Sequence, residues 1–270
     1  EVQSTLQMMI RSFIRRPTLR PSTHVNKLPP SFRCSSFSTS PTDEGSEYGE
    51  DNPDILKLLK NNRKWVQDSQ AADPDFFKKI GGKQRPQYLY IGCSDSRVPA
   101  NEILGLGPGE VFVHRNVGNQ VIGSDLNVLS TIEFAVNFLE VKHIIVTGHY
   151  DCGAVHAALT KQDLGLLENW IRHIRDVYRI HHESLDMLSD QGLKHRRLVE
   201  CSVVEQCLNV FKTGCVQKKR KEYRANNPDS KYAYPMIHGM VFDPKEGLLK
   251  KLPVNFKNIV RNYQHIYDLY

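Results

Sequence analysis

The 270-residue sequence lacks several features that would place it in a protein class at once. It contains no run of 18 apolar residues, so it predicts no membrane-spanning helix. It shows no internal repeat, and nothing in it requires a second folded domain. Its apolar content of 40% is still enough for a sizeable core, most simply as one domain behind an N-terminal extension.

Acidic residues are absent from residues 1–42 apart from the first position, and Arg, Ser, Thr and Pro are abundant there. This composition is typical of an organelle transit peptide, and residues 8–17 can form a short amphipathic helix that ends at a proline. We expect residues 1–42 to be a disordered transit peptide for the mitochondrial matrix. A plastid stroma address and a merely basic tail are the alternatives. Residues 43–53 then form a linker, and residues 54–270 form the folded domain.

The net charge of +6 does not by itself indicate an anionic partner, because much of the excess lies in the N-terminal extension. A second basic run, Lys218–Lys221, has acidic and polar neighbours and no aromatic residues among its lysines. A solvated surface is therefore favoured over a nucleic-acid-binding patch. We expect no nucleic-acid partner.

Cysteine is scarce, with six residues in the chain. Thiols in the matrix or the cytosol stay reduced, so we expect no disulfides. Cys201 and Cys207 lie among apolar residues on a predicted helix, and Cys215 follows them. We interpret Cys201 and Cys207 as small buried hydrophobic side chains rather than as a second metal or redox site.

Three potential metal ligands follow two short apolar runs. Residues 88–92 lead to Cys93, and residues 143–148 lead to His149, with Cys152 three positions further on. Both runs are typical of buried strands in a parallel sheet, where ligands gather at the carboxyl ends of the strands. Two cysteines and one histidine are the ligand count of a catalytic zinc that keeps its fourth position open.

These residues resemble the signature of the β-class carbonic anhydrases, C-x-D-x-R followed by H-x-x-C. The resemblance continues through residues 98–99, 108–110, 114–117 and 165–170, and it covers roughly residues 50–268. It implies an α/β fold with a central, mostly parallel β-sheet flanked by helices. It also implies N-terminal helices that embrace a partner subunit, in a homodimer or a dimer of dimers.

The resemblance implies reversible hydration of carbon dioxide to bicarbonate and a proton, through a zinc-bound hydroxide. Cys93, His149 and Cys152 would bind Zn²⁺. Asp95 would accept a hydrogen bond from the hydroxide, and Arg97 would clamp Asp95 in a bidentate ion pair. Without that clamp, Asp95 would itself take the fourth zinc position in a closed state.

The family places a glutamine at the pocket mouth nine residues before the first zinc ligand, where this chain has Gln84. Gln84 is therefore expected to hydrogen-bond bicarbonate. Gly153 directly follows Cys152 and has no side chain, so we expect its backbone N–H to approach the substrate oxygen, although a glycine that merely opens a helix is the alternative. The candidates for an apolar wall that receives carbon dioxide, which ordinary core packing explains equally well, are Phe112, Val117 and Val121.

Some bacterial relatives bind a regulatory bicarbonate ion through Trp, Arg and Tyr. The matching residues here are Tyr90, Arg115 and Phe242. The arginine is kept, but the indole N–H and the phenol hydroxyl are missing. We therefore expect an enzyme without this inhibitory site.

Two rival functions and one rival role for the metal stay open. The same fold and zinc signature can hydrolyse carbon disulfide, and a zinc-containing interaction or redox module is the rival from another class. A purely structural zinc would need a fourth protein ligand, for which Asp151 and His156 are poorly placed and Asp95 is the serious competitor. An inactive module usually lacks a ligand or a member of the Asp95–Arg97 pair, whereas this chain has all five residues.

The periodicity of apolar residues and the turn signals predict an alternation of helices and strands. Helices are predicted from Asp54 as N-cap and over residues 75–80, 100–104, 126–139, 198–213 and 258–267, and residues 166–188 are predicted to form one long helix or two. Strands are predicted over residues 88–92, 111–113, 143–148, 232–243 and 248–254.

Overall fold

The computed structural model describes residues 52–267 and residue 269. The predicted transit peptide and all but the last two residues of the predicted linker lie outside the described residues, so both stay predictions. The chain divides into two units, residues 1–62 and residues 63–270, with the boundary inside the first helix. The fold and the site below belong to the second unit.

The described residues alternate between helices and strands. The helices are α1 (Pro53–Ala72), α2 (Phe76–Ile80), α3 (Ala100–Leu104), α4 (Leu126–Glu133), α5 (Gly153–Ala158), α6 (Leu167–Ile180), α7 (His182–Asp186), α8 (Gln191–Lys212), α9 (Gly214–Asn226) and α10 (Phe256–Tyr263). The strands are β1 (Tyr88–Cys93), β2 (Val111–Asn116), β3 (His143–His149), β4 (Met236–Asp243) and β5 (Leu248–Leu252). Within this part of the chain, no helix combines the length and apolar character that a bilayer crossing requires.

The five strands form one sheet in the order β2-β1-β3-β4-β5. The first four strands run parallel, and β5 pairs antiparallel with β4. Strands β1 and β3 are central and buried along almost their whole length, which is why both read as continuous apolar runs. The prediction of an α/β fold with a mostly parallel sheet flanked by helices is confirmed.

Helix α8 packs closely on strands β3 and β4 because both strands carry a glycine beneath it. A Cβ atom on Gly148 would lie 2.5 Å from Val203 Cγ2, and one on Gly239 would lie 3.2 Å from Cys207 Sγ. Cys207 is fully buried and unpaired in this contact, and Cys201 is buried on the same helix. Both thiols are packing groups, as the sequence predicted.

The register of the sheet brings two chain segments to one edge. Tyr88 is paired with His143, so β1 and β3 start together and also finish together at their carboxyl ends. Cys93 is the last residue of β1, and His149 is the last residue of β3. The predicted ligands therefore meet at one edge of the sheet.

Several predicted boundaries were wrong for identifiable reasons. Helix α1 starts at Pro53, and the side chain of Asn52 accepts the N–H of Asp54, so Asp54 is not the N-cap. Helix α8 starts seven residues before the prediction, where the Asp190 carboxylate accepts the N–H of Leu193. The apolar periodicity of this helix is weak, and only its cap marked the true start.

Three further elements differ from the predictions. The helix expected over residues 126–139 continues after α4 as a π-helical turn, Phe134–Phe138. Strand β4 begins only after Pro235, which has no backbone N–H to donate to a neighbouring strand. The basic run 218–221 lies on helix α9, which was not predicted, and Lys219 of this run pairs with Glu140 at 2.8 Å.

We predict that Gly148→Ala destabilises the protein, because the added methyl group would overlap Val203 on α8. Overpacking of this kind lowers the free energy of unfolding by about 1–3 kcal/mol. Gly123→Ala is the matched control, since a Cβ atom there meets no neighbour within 4 Å. Denaturant unfolding of both variants measures the difference, and equal stability would show that α8 does not need this close approach.

Candidate metal centre

Cys93, His149 and Cys152 place three potential metal donors together at the carboxyl edge of the sheet. Their donor atoms all lie within 4.8 Å of one another, and all three residues are buried. Among the described residues, this is the one group of three or more such side chains found that close together. The prediction that these three side chains converge is therefore confirmed, and their binding of a metal stays a prediction.

The ring of His149 shows what the group is built to hold. Its Nδ1 atom lies 2.9 Å from the carbonyl oxygen of Tyr150, which can only accept, so Nδ1 carries the proton. The opposite nitrogen, Nε2, is buried and has no hydrogen-bond partner among the described residues. A buried, lone-pair-bearing nitrogen next to two sulfur atoms fits a zinc ion, which prefers nitrogen and sulfur donors.

Backbone groups surround the Cys93 sulfur. The pKa of Cys93 lies well below its ordinary value, chiefly because the Cys152 thiol donates a hydrogen bond to it. The backbone N–H groups of Asp95 and Gly118 lower this pKa further, against the effect of burial. The surroundings thus favour the thiolate, which is the form that binds metal.

Cys152 is fixed by the helix that follows it. It is the N-cap residue of α5, although its sulfur makes no capping hydrogen bond to that helix. Its carbonyl oxygen accepts a hydrogen bond from His195 Nε2 at 3.1 Å. Helix α5 and helix α8 therefore hold this ligand from two directions.

Asp95 and Arg97 form the bidentate pair that the motif implied. Asp95 Oδ1 accepts from Arg97 Nε at 3.0 Å, and Asp95 Oδ2 accepts from Nη2 of the same side chain at 2.8 Å. The guanidinium group also donates to the carbonyl of Asp151, and it holds the pKa of Asp95 far below its usual range. Asp95 Oδ2 stays 3.8 Å from His149 Nε2. The carboxylate is thus charged, clamped and beside the metal donors.

The residues matched to the regulatory bicarbonate site also support this edge of the sheet. Arg115 donates to the backbone carbonyls of Cys93 at 2.8 Å and Asp95 at 2.6 Å. Tyr90 is fully buried, and the Phe242 carbonyl accepts the N–H of the residue after His149. The loss of the inhibitory site stays a prediction.

Asp151 and His156 are the two other potential ligands near the motif. Asp151 adopts a left-handed backbone conformation with φ of 55°, and its carboxylate pairs with Lys245 at 3.1 Å. His156 lies on α5 and is exposed. Neither belongs to the group of three close donors, which leaves Asp95 as the competitor for a fourth position.

Sequence reasoning missed the side chains that hold Tyr150, whose carbonyl orients His149. The Arg196 guanidinium carbon lies 3.5 Å from the centre of the Tyr150 ring, and the phenol donates to Glu200 at 2.7 Å. Lys250 on β5 donates to the same carboxylate at 2.8 Å. No spacing rule links these residues, because they are about 50 and 100 positions apart in the chain.

Gln84 and Gly153 fall at different ends of the sheet. Gln84 precedes β1 and is exposed, and it lines a cavity of about 390 Å³ with Phe138 and Lys142, which precede β3. Within one chain, Gln84 thus lies at the amino edge, across the sheet from the metal donors. Gly153 follows Cys152 directly, and a Cβ atom there would meet nothing within 4 Å. Packing therefore does not demand this glycine.

The candidates for an apolar wall are also divided. Phe112 pairs with Leu89 near the amino end of β1, so it lies on the side of Gln84. Val117 and Val121 follow β2 at the other edge, where Val117 is exposed and Val121 is buried in the core. Val117 and Val121 thus follow the strand end at the edge that carries the metal donors, whereas Phe112 lies toward the opposite edge.

Comparison with known proteins agrees with this architecture. A family model described as carbonic anhydrase matches residues 88–249. The chain is 52% identical over 213 residues to a carbonic anhydrase of Emericella nidulans, covering 79% of this chain and 90% of that protein. The structure resembles a β-carbonic anhydrase of Aspergillus fumigatus, with a TM-score of 0.71 and 31% identity over 79% of this chain and 98% of that one.

A second solved structure is one of two tetrameric β-carbonic anhydrases from Sordaria macrospora. Its TM-score is 0.67 at 34% identity, and the match covers 74% of this chain and 98% of that one. The fold and the donor set define an α/β enzyme with a group of two cysteines and one histidine at the carboxyl edge of its sheet. The chain belongs to the carbonic anhydrase family, in its β class, whose general reaction is the hydration of carbon dioxide.

We predict that Cys152→Ala removes most of the zinc, because two remaining donors cannot form a stable site. Cys201→Ala is the matched control, a buried cysteine on α8 outside the group of donors. Metal analysis of both purified variants gives the answer. A folded Cys152→Ala protein with a full complement of zinc would remove Cys152 from the site.

Proposed function

We propose that this chain hydrates carbon dioxide reversibly to bicarbonate and a proton, with zinc held by Cys93, His149 and Cys152. The observation that carries the proposal is the buried, unpartnered Nε2 of His149 facing two cysteine sulfurs. Zinc bound there would act as a Lewis acid that lowers the pKa of a water molecule and so supplies hydroxide as the nucleophile.

The protein side chains supply orientation. Asp95 is a charged acceptor next to the donors, and it can hold one proton of an attacking oxygen so that a lone pair faces the substrate. Arg97 keeps this carboxylate in place through two hydrogen bonds. The absence of a side chain on Gly153 leaves space beside Cys152 for a small substrate.

The same pair offers an inhibited arrangement. Both carboxylate oxygens of Asp95 are bound by Arg97, and one of them is 3.8 Å from His149 Nε2. Released from Arg97, the Asp95 carboxylate would itself be a candidate fourth donor to a metal held by Cys93, His149 and Cys152. We propose that the ion pair keeps the fourth metal position available.

We predict that Arg97→Ala retains zinc but hydrates carbon dioxide at least about tenfold more slowly, because Asp95 loses its clamp and its orientation. Arg179→Ala is the matched control, since it removes an exposed Arg–Asp pair, with Asp176, on α6. Stopped-flow assays with metal analysis compare the two. Parental activity in Arg97→Ala, with water at the fourth position in its structure, would contradict the clamp.

We further propose that the active form is a homodimer or a dimer of such dimers. Strand β2 is an edge strand with exposed Val113, and helix α1 has no buried residue. An exposed edge strand and an exposed apolar surface of this kind are usually covered by another protein segment or subunit. A relative from Sordaria macrospora is described as tetrameric. A second copy of this chain is therefore the occupant that we assign to these surfaces.

The position of Gln84 gives the dimer a catalytic role. Its own metal donors lie at the opposite edge of the sheet, roughly 17 Å away along the five steps of β1. A hydrogen bond from Gln84 to bicarbonate is therefore not available within one chain. We propose that Gln84 of the partner subunit completes each site, together with the exposed ring of Phe138 beside it.

Mixed dimers test this directly. We predict that Gln84→Ala lowers hydration activity about tenfold through loss of one hydrogen bond to an anion, and that Cys152→Ala is inactive. A hybrid of the two, isolated through different affinity tags, contains one undamaged site if Gln84 acts across the interface and none if it acts within its own chain. Hybrid activity no higher than that of Gln84→Ala would contradict the proposal.

A further inference from the structure

Trp170 belongs to a segment that resembles the family, yet neither the metal donors nor the Asp95–Arg97 pair explains it. It lies in the first turn of α6, and its indole Nε1 donates to the carbonyl oxygen of Val117 at 2.6 Å. Gln120 links the same two residues, because its side-chain amide donates to the carbonyls of Trp170 at 3.2 Å and Val117 at 3.4 Å. The loop after β2 is thus tied to α6.

The Val117 carbonyl belongs to the same peptide unit as the N–H of Gly118. A peptide unit is planar, and in the trans form its C=O and N–H point in opposite directions. One end of this unit is bound to the indole of Trp170, and the other end, the N–H of Gly118, points away from the indole and is one of the backbone groups that lower the pKa of Cys93. Fixing the carbonyl therefore fixes the direction of the N–H.

Gly118 packs against α5, which follows Cys152, and lies two residues after Asn116, which is bonded to the segment that carries Cys93. Its φ of 77° is in the left-handed region, and a Cβ atom there would lie 3.2 Å from Ala154 Cβ and 3.1 Å from Ile174 Cδ1. Ala154 follows Cys152 on α5, and the N–H of Ser94, next to Cys93, donates to the carbonyl of Asn116 at 2.9 Å. The peptide is wedged at the metal centre and not in an unrelated loop.

We propose that Trp170 is a positioning residue for the metal centre, which holds the Val117–Gly118 peptide so that its N–H donates to the Cys93 thiolate. A hydrogen bond at one end of a peptide polarises the group and strengthens the bond at its other end. An N–H···S bond withdraws electron density from the thiolate and fixes its direction toward the metal. Outer hydrogen bonds of this kind tune metal affinity and reactivity.

This inference rests on the proposed zinc site, and its test reads the metal–sulfur bond rather than turnover. The zinc affinity of the Trp170→Phe variant is measured by chelator competition. The same variant is also loaded with cobalt(II) for absorption spectroscopy. We expect zinc affinity to fall about tenfold. We expect the sulfur-to-cobalt charge-transfer band to move to longer wavelength, because the thiolate keeps more of its electron density.

The chain supplies a matched control in its other tryptophan. Trp65 contacts Phe76 and Phe77 at ring-centroid distances of 5.9 and 5.3 Å, away from the metal donors. Trp65→Phe should leave both the band and the zinc affinity unchanged. In that background, replacement of Trp170 by 3-benzothienylalanine removes the N–H and keeps the shape of the ring, so loss of packing is separated from loss of the hydrogen bond.

The outcomes are distinct. A shifted band and weaker zinc binding in the benzothienyl variant support the positioning role. Two results would overturn the positioning role in a parent protein that binds zinc. One is a benzothienyl variant whose charge-transfer band and zinc affinity are both unchanged. The other is a variant whose melting temperature falls while its charge-transfer band stays at the same wavelength. A parent protein that binds neither metal would overturn the proposed metal centre itself.

Discussion

The burial of His149 is the constraint on which the rest of the site depends. A ring nitrogen that is removed from water and receives no hydrogen bond from the protein is strongly unfavourable, unless a metal ion takes its lone pair. In this chain Nε2 faces two cysteine sulfurs, while Nδ1 is satisfied by the next carbonyl along the chain. The strand ends, the turn between the ligands and helix α8 all serve to hold that arrangement.

The donors are held mainly by backbone groups, and this explains why the site needs the whole fold. Peptide N–H groups of Asp95 and of Gly118, in the loop after β2, lower the pKa of Cys93, and Cys152 is the N-cap residue of α5. Arg115 holds the backbone on either side of Ser94, and His195 on α8 holds the carbonyl of Cys152. A thiolate surrounded by fixed N–H donors stays reactive toward zinc but less basic toward protons.

With the role that we propose for Gln84, a single subunit carries only part of the site. The metal donors and the Asp95–Arg97 pair lie at the carboxyl edge of the sheet, and Gln84 lies at the amino edge. Exposed groups lie at both ends of the strands. Among the described residues, the outermost strand, β2, also has no neighbouring strand on one of its two sides. A two-fold dimer is the simplest assembly that brings the amino edge of one sheet to the carboxyl edge of another. Catalysis and association are then linked by geometry.

The sequence alone determined the elements that depend on local pattern. The apolar runs before Cys93 and His149 are central strands because residues buried on both faces must be apolar, and their shared parallel register brings the three donors together. The sequence also determined the Asp95–Arg97 pair, because two side chains that are two positions apart in the chain can reach each other. Local pattern could not place the start of α8 or the helix α9, whose apolar periodicity is weak.

Only the tertiary structure decided which distant groups support the donors and on which edge each candidate lies. Trp170, His195 and Glu200 act through contacts between elements far apart in sequence, and no spacing rule encodes such contacts. Gln84 is nine residues from Cys93 in sequence, yet an extended strand separates them in space by its full length. Sequence distance fixes how far apart two residues can be, and the fold decides on which side of the sheet they lie.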